Sequence, residues 1–217
     1  MRTIIFLMLT ILIAKLVSGQ RIMYTNDPNN LYNGPENYRY YENVLDNLHP
    51  YFEGKDFHSA SIIFSGKSYE KIPLKYDLVK DQIITLHPKF PYEVILLKAQ
   101  VNEFSFNNRK FALLSYKGIN PGYYEVLYDK GKFKVLVKYR KKYTQQIFYN
   151  DNFVNKIDEF SPEFYLVENN QAHFIKKEKS LYKFSKSIKS FIRQHNLPIE
   201  EFPYSALPIV AEYLDSK

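Results

Sequence analysis

Residues 123–139 read YYEVLYDKGKFKVLVKY. Asp129-Lys130-Gly131 divides the stretch into two apolar-rich runs, and such a tripeptide is turn chemistry. In the second run Phe133, Val135, Val137 and Tyr139 alternate with Lys132, Lys134, Leu136 and Lys138. Successive side chains of a strand point to opposite faces, so this period of two sets one face against a core and the other toward water. The stretch predicts two antiparallel strands joined by a tight turn.

The same grammar extends in both directions. Ile62-Ile63-Phe64 and Tyr69–Ile72 flank Ser65-Gly66-Lys67-Ser68, and Leu74–Val79 and Gln82–Leu86 flank Lys80-Asp81. Val94–Ala99, Val101–Phe106 and Lys110–Tyr116 continue the series. Asn107-Asn108 separates the last two, and Asn tolerates the positive φ of a two-residue hairpin turn. Phe164–Glu168 and Ala172–Lys176 flank Asn169-Asn170-Gln171. Short strands, tight turns and no long helical crossover between Ile62 and Ile175 argue against a parallel sheet. The expected fold is mainly β: an antiparallel meander forming a curved sheet, sandwich or open barrel, with one or two C-terminal helices packed on it. A closed outer-membrane barrel fits poorly, because lipid-facing strands need about 10 residues with an uncharged outer face. Ile72-Pro73-Leu74 suggests an edge strand, since Pro cannot donate to a central ladder.

The C-terminal end is helical in pattern. At about 100° per residue, Leu181, Phe184, Ile188, Phe191, Ile192 and His195 share one sector. Lys179, Lys183, Lys186, Lys189 and Arg193 fall opposite, and Asn196 and Pro198 mark the stop. This wheel predicts Phe184, Ile188 and Phe191 buried, with Lys183 and Lys186 exposed. A second helix is expected near Ser205–Leu214, with Ile209, Val210 and Tyr213 inward and Pro208 in its first turn.

Residues 20–57 are rich in Asn, Pro, Gly and Tyr and have little periodicity. They read as an irregular N-terminal segment packed on the domain, with one short element near Tyr38–Leu45. Leu31, Tyr32, Pro50, Tyr51 and Phe52 are positioned to staple it across the sheet. Residues 1–19 have the three parts of a secretory leader: Arg2, an apolar run from Ile4 to Ala14, and small residues in Val17-Ser18-Gly19 before a cleavage point at Gln20. A permanent membrane span needs about 20 apolar residues. The resulting division is 1–19 signal peptide, 20–57 N-terminal segment, 58–177 antiparallel β domain, and 178–217 C-terminal helical segment of the same domain.

Removing residues 1–19 from 217 leaves 198 residues, enough for one domain with a substantial core. The formal charge falls from +7 to +5 with the loss of Arg2 and Lys15, which favours anionic partners without naming one. No cysteine occurs, and no Asn-x-Ser/Thr acceptor. Secreted eukaryotic domains usually carry disulfides, so a cysteine-free exported chain fits a bacterial periplasm, cell surface or medium better. Absence of Cys also excludes a lipidated anchor.

Catalytic motifs are missing. His49, His58, His87, His173 and His195 show no metal-site spacing such as His-Glu-x-x-His, and Ser65-Gly66 lacks a nucleophile elbow. Asp77 and Asp81 lie four apart beside Tyr76. Such a pair can do acid–base work, but flanking a hairpin is the simpler role. Lys138-Tyr139-Arg140-Lys141-Lys142-Tyr143 interleaves cations and rings, as single-strand nucleic-acid binders do. An exported protein seldom meets nucleic acid, and a strand end running into a solvated loop has the same composition. The candidate binding surface is therefore Lys179, Lys183, Lys186, Lys189 and Arg193, whose stripe suits an anionic ligand or a peripheral membrane contact and equally suits a solvated face. No cofactor is expected.

Two stretches carry a resemblance. Residues 31–52 read LYNGPENYRYYENVLDNLHPYF and residues 61–87 read SIIFSGKSYEKIPLKYDLVKDQIITLH. The chain resembles a group of uncharacterised exported proteins of Bacteroidota-type bacteria. These have a Leu-Tyr-Asn-Gly start, a His-Pro-(Tyr/Phe)-Phe segment, a later apolar-Pro-Leu and Tyr-Asp pattern, and a Lys-rich amphipathic C-terminal helix. Leu48 stands where the group has Gly, and Ser65 where it has Asp. The resemblance implies export, β-rich architecture and no known activity, and it carries over no catalytic residue. The function expected from all this is a non-catalytic envelope protein that binds another envelope protein or an anionic ligand. A small hydrolase built from dispersed Asp, His and Tyr, and a lipid or lipopolysaccharide binder, are the alternatives.

Overall fold

The computed structural model describes residues 30–38, 44, 48–147 and 153–217. The expected leader at 1–19 and most of the expected element at Tyr38–Leu45 lie outside the described residues. The strands are β1 (His58–Phe64), β2 (Lys67–Asp77), β3 (Gln82–Leu86), β4 (Glu93–Ile95), β5 (Val101–Phe106), β6 (Arg109–Leu114), β7 (Gly122–Asp129), β8 (Phe133–Lys138), β9 (Lys141–Ile147), β10 (Phe153–Glu159), β11 (Glu163–Glu168) and β12 (Gln171–Phe174). Two helices follow, α1 (Ile188–Gln194) and α2 (Pro203–Asp215).

Ten strands form one antiparallel sheet in the order β12-β11-β8-β7-β6-β5-β1-β2-β3-β4. Two meanders, β1 to β4 and β5 to β8, meet where β1 pairs with β5. The fold is thus mainly β, with a sheet not closed into a barrel and two C-terminal helices. The β5–β6 turn uses Asn107 at φ 50 and Asn108 at φ 60, and the β11–β12 turn uses Asn169 at φ 48 and Asn170 at φ 64. Both hairpins thus use the positive φ that Asn tolerates.

The sheet curls strongly. The Tyr76 ring of β2 lies 5.9 Å from that of Tyr123 on β7, although β1, β5 and β6 separate those strands in the sheet. Phe104 at 5.4 Å and Phe111 at 5.6 Å complete the aromatic filling of the concave face. Flat rings, Tyr76 edge-to-face with Phe104 and Phe111 and those two stacked on each other, fill a curved interior with few rotamers to order. β8 is buried on both faces, contrary to the alternation read from its sequence. Leu136 is fully buried, in an outer cluster with Tyr124, Tyr165, Val167 and Ala172. Leu114, Tyr116 and Ile119 pack against that cluster.

Several expectations need correction. β2 is an interior strand, paired with both β1 and β3, so Pro73 does not mark an edge. Two nearby features accommodate it. The β1–β2 register shifts between Ala60 and Ile62, with Lys71 at φ 57 marking a bulge, and Thr85 Oγ1 donates to the Pro73 carbonyl at 2.8 Å. The expected strand at Val94–Ala99 is cut to β4 by a 3-10 turn at Lys98–Gln100. The β9–β10 ribbon is unexpected; its mixed polar sequences, KKYTQQI and FVNKIDE, lack a clean period of two.

The long basic helix is also broken. A 3-10 turn spans Glu178–Leu181, turns follow, and α1 begins only at Ile188. Ser185 and Ser187 lie at the break, and Ser185 Oγ accepts the Ser187 N–H at 3.3 Å, a local bond that competes with helix continuation. Leu181, Ile188 and Ile192 are buried as expected, but Phe184 and Phe191 are half-buried and His195 is exposed. The last helix starts at Pro203, earlier than expected, which leaves Pro208 inside it and unable to donate to the Tyr204 carbonyl. Its inward face is Ala206, Leu207, Val210, Ala211 and Leu214; Ile209 is exposed and Tyr213 half-buried.

Candidate functional site

The seam of the open sheet, between the end of β2 and the end of β8, is bridged by the His49-Pro50-Tyr51-Phe52 segment. Phe52 N–H donates to the Tyr76 carbonyl at 2.9 Å, and Leu78 N–H donates to the Pro50 carbonyl at 2.9 Å. From the other side Lys141 Nζ donates to the His49 carbonyl at 3.1 Å and the Tyr51 carbonyl at 3.2 Å. The Phe52 ring then drops into the concave core, 4.8 Å from Tyr139 and 5.3 Å from Phe111. The stapling role expected for Tyr51, Phe52, Leu31 and Tyr32 has this physical form: Phe52, Leu31 and Tyr32 are buried.

Two charged clusters flank the bridge. In the first, Asp81 of the β2–β3 turn accepts from Lys98 Nζ at 2.6 Å, Lys138 Nζ at 2.7 Å, Tyr76 Oη at 2.5 Å and the Tyr123 N–H at 3.3 Å. Burial alone would raise the Asp81 carboxyl; Lys138, Lys98 and Tyr76 outweigh it and hold it below the usual range. Lys138 is held below its ordinary value, because burial pushes its ammonium down by more than Asp81 pulls it up. A 2.7 Å contact with a carboxylate that three other donors also hold keeps the pair ionised at neutral pH. Asp77 has the hairpin role expected of it: Oδ1 accepts the Val79 and Lys80 N–H groups at 2.8 and 2.9 Å.

In the second cluster Arg109 grips Glu125 with two bonds, Nε to Oε1 at 2.8 Å and Nη2 to Oε2 at 2.7 Å. Its Nη1 reaches Glu53 at 2.9 Å, and Asn107 holds the other Glu53 oxygen at 2.8 Å. Tyr139 donates to Glu125 at 2.6 Å and meets the hydroxyl of Tyr204, on α2, at 2.8 Å. Burial first, then the Glu125 bond, push the Tyr139 hydroxyl far up, so it stays neutral. Core, N-terminal segment and C-terminal helix are tied together through one guanidinium.

A cleft of about 240 Å³ opens over this seam. Tyr51, Phe52 and Glu53 form one wall and Tyr139, Arg140 and Lys141 another; Glu159, Phe160 and Pro162 form the rim. Arg140 is paired with Glu163 at 3.2 Å, and Phe160 is half-exposed. The volume lies below the range of roughly 300–1,000 Å³ typical of whole small-molecule sites. It suits one protruding group of a larger ligand.

The residues singled out from sequence lie elsewhere. Lys179 is in the 3-10 turn, Lys183 and Lys186 are in the turns after it, and Lys189 and Arg193 are on α1; all five are exposed, but no single helix aligns them. Of the Lys138–Tyr143 run, Lys138, Tyr139 and Lys141 point their polar atoms into the seam bonds given above. Among the described residues no group of three or more His, Asp or Glu is arranged to hold a metal ion, and no helix is long and apolar enough to cross a membrane. Glu53, Arg109 and Glu125 escaped the sequence reading because their partners lie 14 to 56 residues away. The signal that did point here was His-Pro-Tyr-Phe. Comparison with family models, curated proteins and solved structures finds no match to the chain.

Proposed function

We propose that the chain is an exported, non-catalytic binding protein of the bacterial envelope, which takes one protruding group of its ligand into the seam cleft. The observation that carries this reading is that Glu53 and Glu125 are committed to the fold's own bonds, while Glu159 on the rim, 73% exposed, is the carboxylate that stays open. Both oxygens of Glu53 and both of Glu125 are held by Arg109, Asn107 or Tyr139. A general base needs a lone pair aimed at a substrate proton; each oxygen of Glu53 and Glu125 already accepts at least one bond that holds the fold. Export rests on the leader-like residues 1–19.

The test is two-armed. Mature chain, residues 20–217, is screened with chromogenic esters, glycosides and phosphate esters, and in parallel titrated with amino acids and monosaccharides while backbone amide shifts are followed. The expected result is no turnover and saturable shifts at Tyr51–Glu53, Arg140 and Phe160, lost in Phe160→Ala. Turnover that disappears in Glu159→Gln, the exposed carboxylate on the rim, overturns the reading in favour of a small hydrolase.

A further inference from the structure

Exposed cations with no ion pair among the described residues stand singly elsewhere, as Lys71, Lys117 and Lys130 do, but gather in one run near the C-terminal end. On the sheet, Lys75, Lys98, Arg109, Lys110, Lys132, Lys134, Lys138, Arg140, Lys141 and Lys156 each lie within 3.6 Å of a carboxylate. Between residues 176 and 193 stand Lys176, Lys177, Lys179, Lys183, Lys186, Lys189 and Arg193, all exposed, and among the described residues none is ion-paired. The one acid in that stretch, Glu178, is engaged by the Tyr182 hydroxyl. The acids that follow, Glu200, Glu201 and Glu212, pair with none of the seven. Proteins usually intersperse the two signs on a surface, because a single-sign patch repels itself.

The packing leaves these cations in solvent. Leu181, Ile188 and Ile192 are buried beneath them, and the Phe184 ring stands on Phe133 of β8 at 6.0 Å. Lys183 Nζ meets His173 Nδ1 of β12 at 2.8 Å, which sets the basic segment beside the sheet edge. Next in that edge strand is Phe174, 50% exposed. Two of the cations lie over rings, Lys183 over Phe184 at 5.1 Å and Lys189 over Tyr182 at 5.7 Å. Exposed or half-buried rings level with unpaired ammonium groups are the composition of a surface lying in the headgroup zone of a bilayer. A soluble polyanion would call for the charges alone.

The geometry points to the segment Lys176–Arg193, with Phe174, as a docking surface for an anionic membrane. This surface is separate from the seam cleft, and its contact is peripheral. Breaking the basic helix at Ser185–Ser187 does not remove the patch, because all seven cations stay exposed. Each cation brought to an anionic leaflet contributes roughly fivefold to partitioning at moderate salt. The attraction falls off within about 8–10 Å at physiological ionic strength.

The test uses the mature chain and sedimented vesicles of phosphatidylcholine alone or mixed with phosphatidylglycerol. Binding is expected only to the mixed vesicles, with a steep decline as salt is raised. Lys183→Glu/Lys189→Glu should weaken it by about 25-fold or more. Lys71→Glu/Lys130→Glu makes the same change in net charge at exposed sites elsewhere and should leave binding nearly intact. Phe174→Ser should weaken binding without altering its salt dependence. Unchanged thermal midpoints in all three variants show that the fold is retained. Equal loss in both double variants overturns the proposal, since net charge alone would then be acting. So does binding to soluble polyphosphate as tight as to vesicles, or binding to pure phosphatidylcholine.

Discussion

The Asp81 carboxylate lies 2.7 Å from Lys138 Nζ, although β1, β5, β6 and β7 separate β2 from β8 in the sheet. The contact closes the circuit that the strands leave open. Lys138 is 9% exposed and Asp81 20%, so the pair is largely removed from water. Removing one partner of a buried pair strands the other's charge, at a cost of about 3–5 kcal/mol. Asp81→Asn should therefore destabilise the protein by about 3 kcal/mol in urea denaturation. Adding Lys138→Met should restore part of the loss, because the stranded ammonium is gone. An unchanged urea midpoint in Asp81→Asn would show that the clasp does not hold the seam.

Acid should act through the same carboxylate. The folded protein holds Asp81 below its ordinary value, whereas in the unfolded chain it titrates near about 3.9. As pH falls the unfolded state takes up its proton first, so stability is fully present above about pH 4 and is lost as pH falls through the folded value. Glu53, also held low by Asn107 and Arg109 against its burial, adds to the same limb. Thermal midpoints measured from pH 7 down to pH 3 should drop in the wild type and drop less steeply in Asp81→Asn. Parallel curves would assign the acid response to other groups.

Gly122 has a steric reason to be glycine. A Cβ there would lie 2.5 Å from Asp81 Oδ2 and 3.0 Å from Lys138 Nζ. The obstacle is the end of a side chain, so the carboxylate rather than the backbone must move, and the ion pair goes with it. Gly122→Ala should thus cost a large part of what Asp81→Asn costs. In an Asp81→Ala background the same change should be nearly neutral, because contacting residues are not additive. Equal penalties in both backgrounds would place the clash elsewhere.

The pattern of strands was legible because hairpins are local: turn residues and alternation sit next to each other in the chain. The pairing of β1 with β5 and the curl that sets Tyr76 on Tyr123 were not, since they depend on contacts between residues 37 to 47 apart in the chain. The candidate site suffered the same way. Arg109, Glu125 and Glu53 are ordinary surface-type residues until the fold brings them together. The C-terminal wheel assumed one continuous helix, and Ser185 and Ser187 defeated that assumption while leaving the anchors Leu181, Ile188 and Ile192 in place.

That break re-ranks the anchors of the basic segment, and truncation should reveal it. A fully buried Phe cut to Ala costs about 3–5 kcal/mol, and a buried Ile about 2–5. The wheel makes Phe191 a main anchor. In the fold Phe191 is half-buried, stacked on the Tyr213 ring at 3.8 Å, whereas Ile188 is fully buried. Ile188→Ala should then cost about 3 kcal/mol, and Phe191→Ala no more than about 2. Both are read from urea denaturation of residues 20–217, with equal slopes confirming a shared unfolded state. A larger loss for Phe191→Ala would restore the continuous helix with its aromatic face docked, and would realign Lys179, Lys183, Lys186, Lys189 and Arg193 as a single stripe.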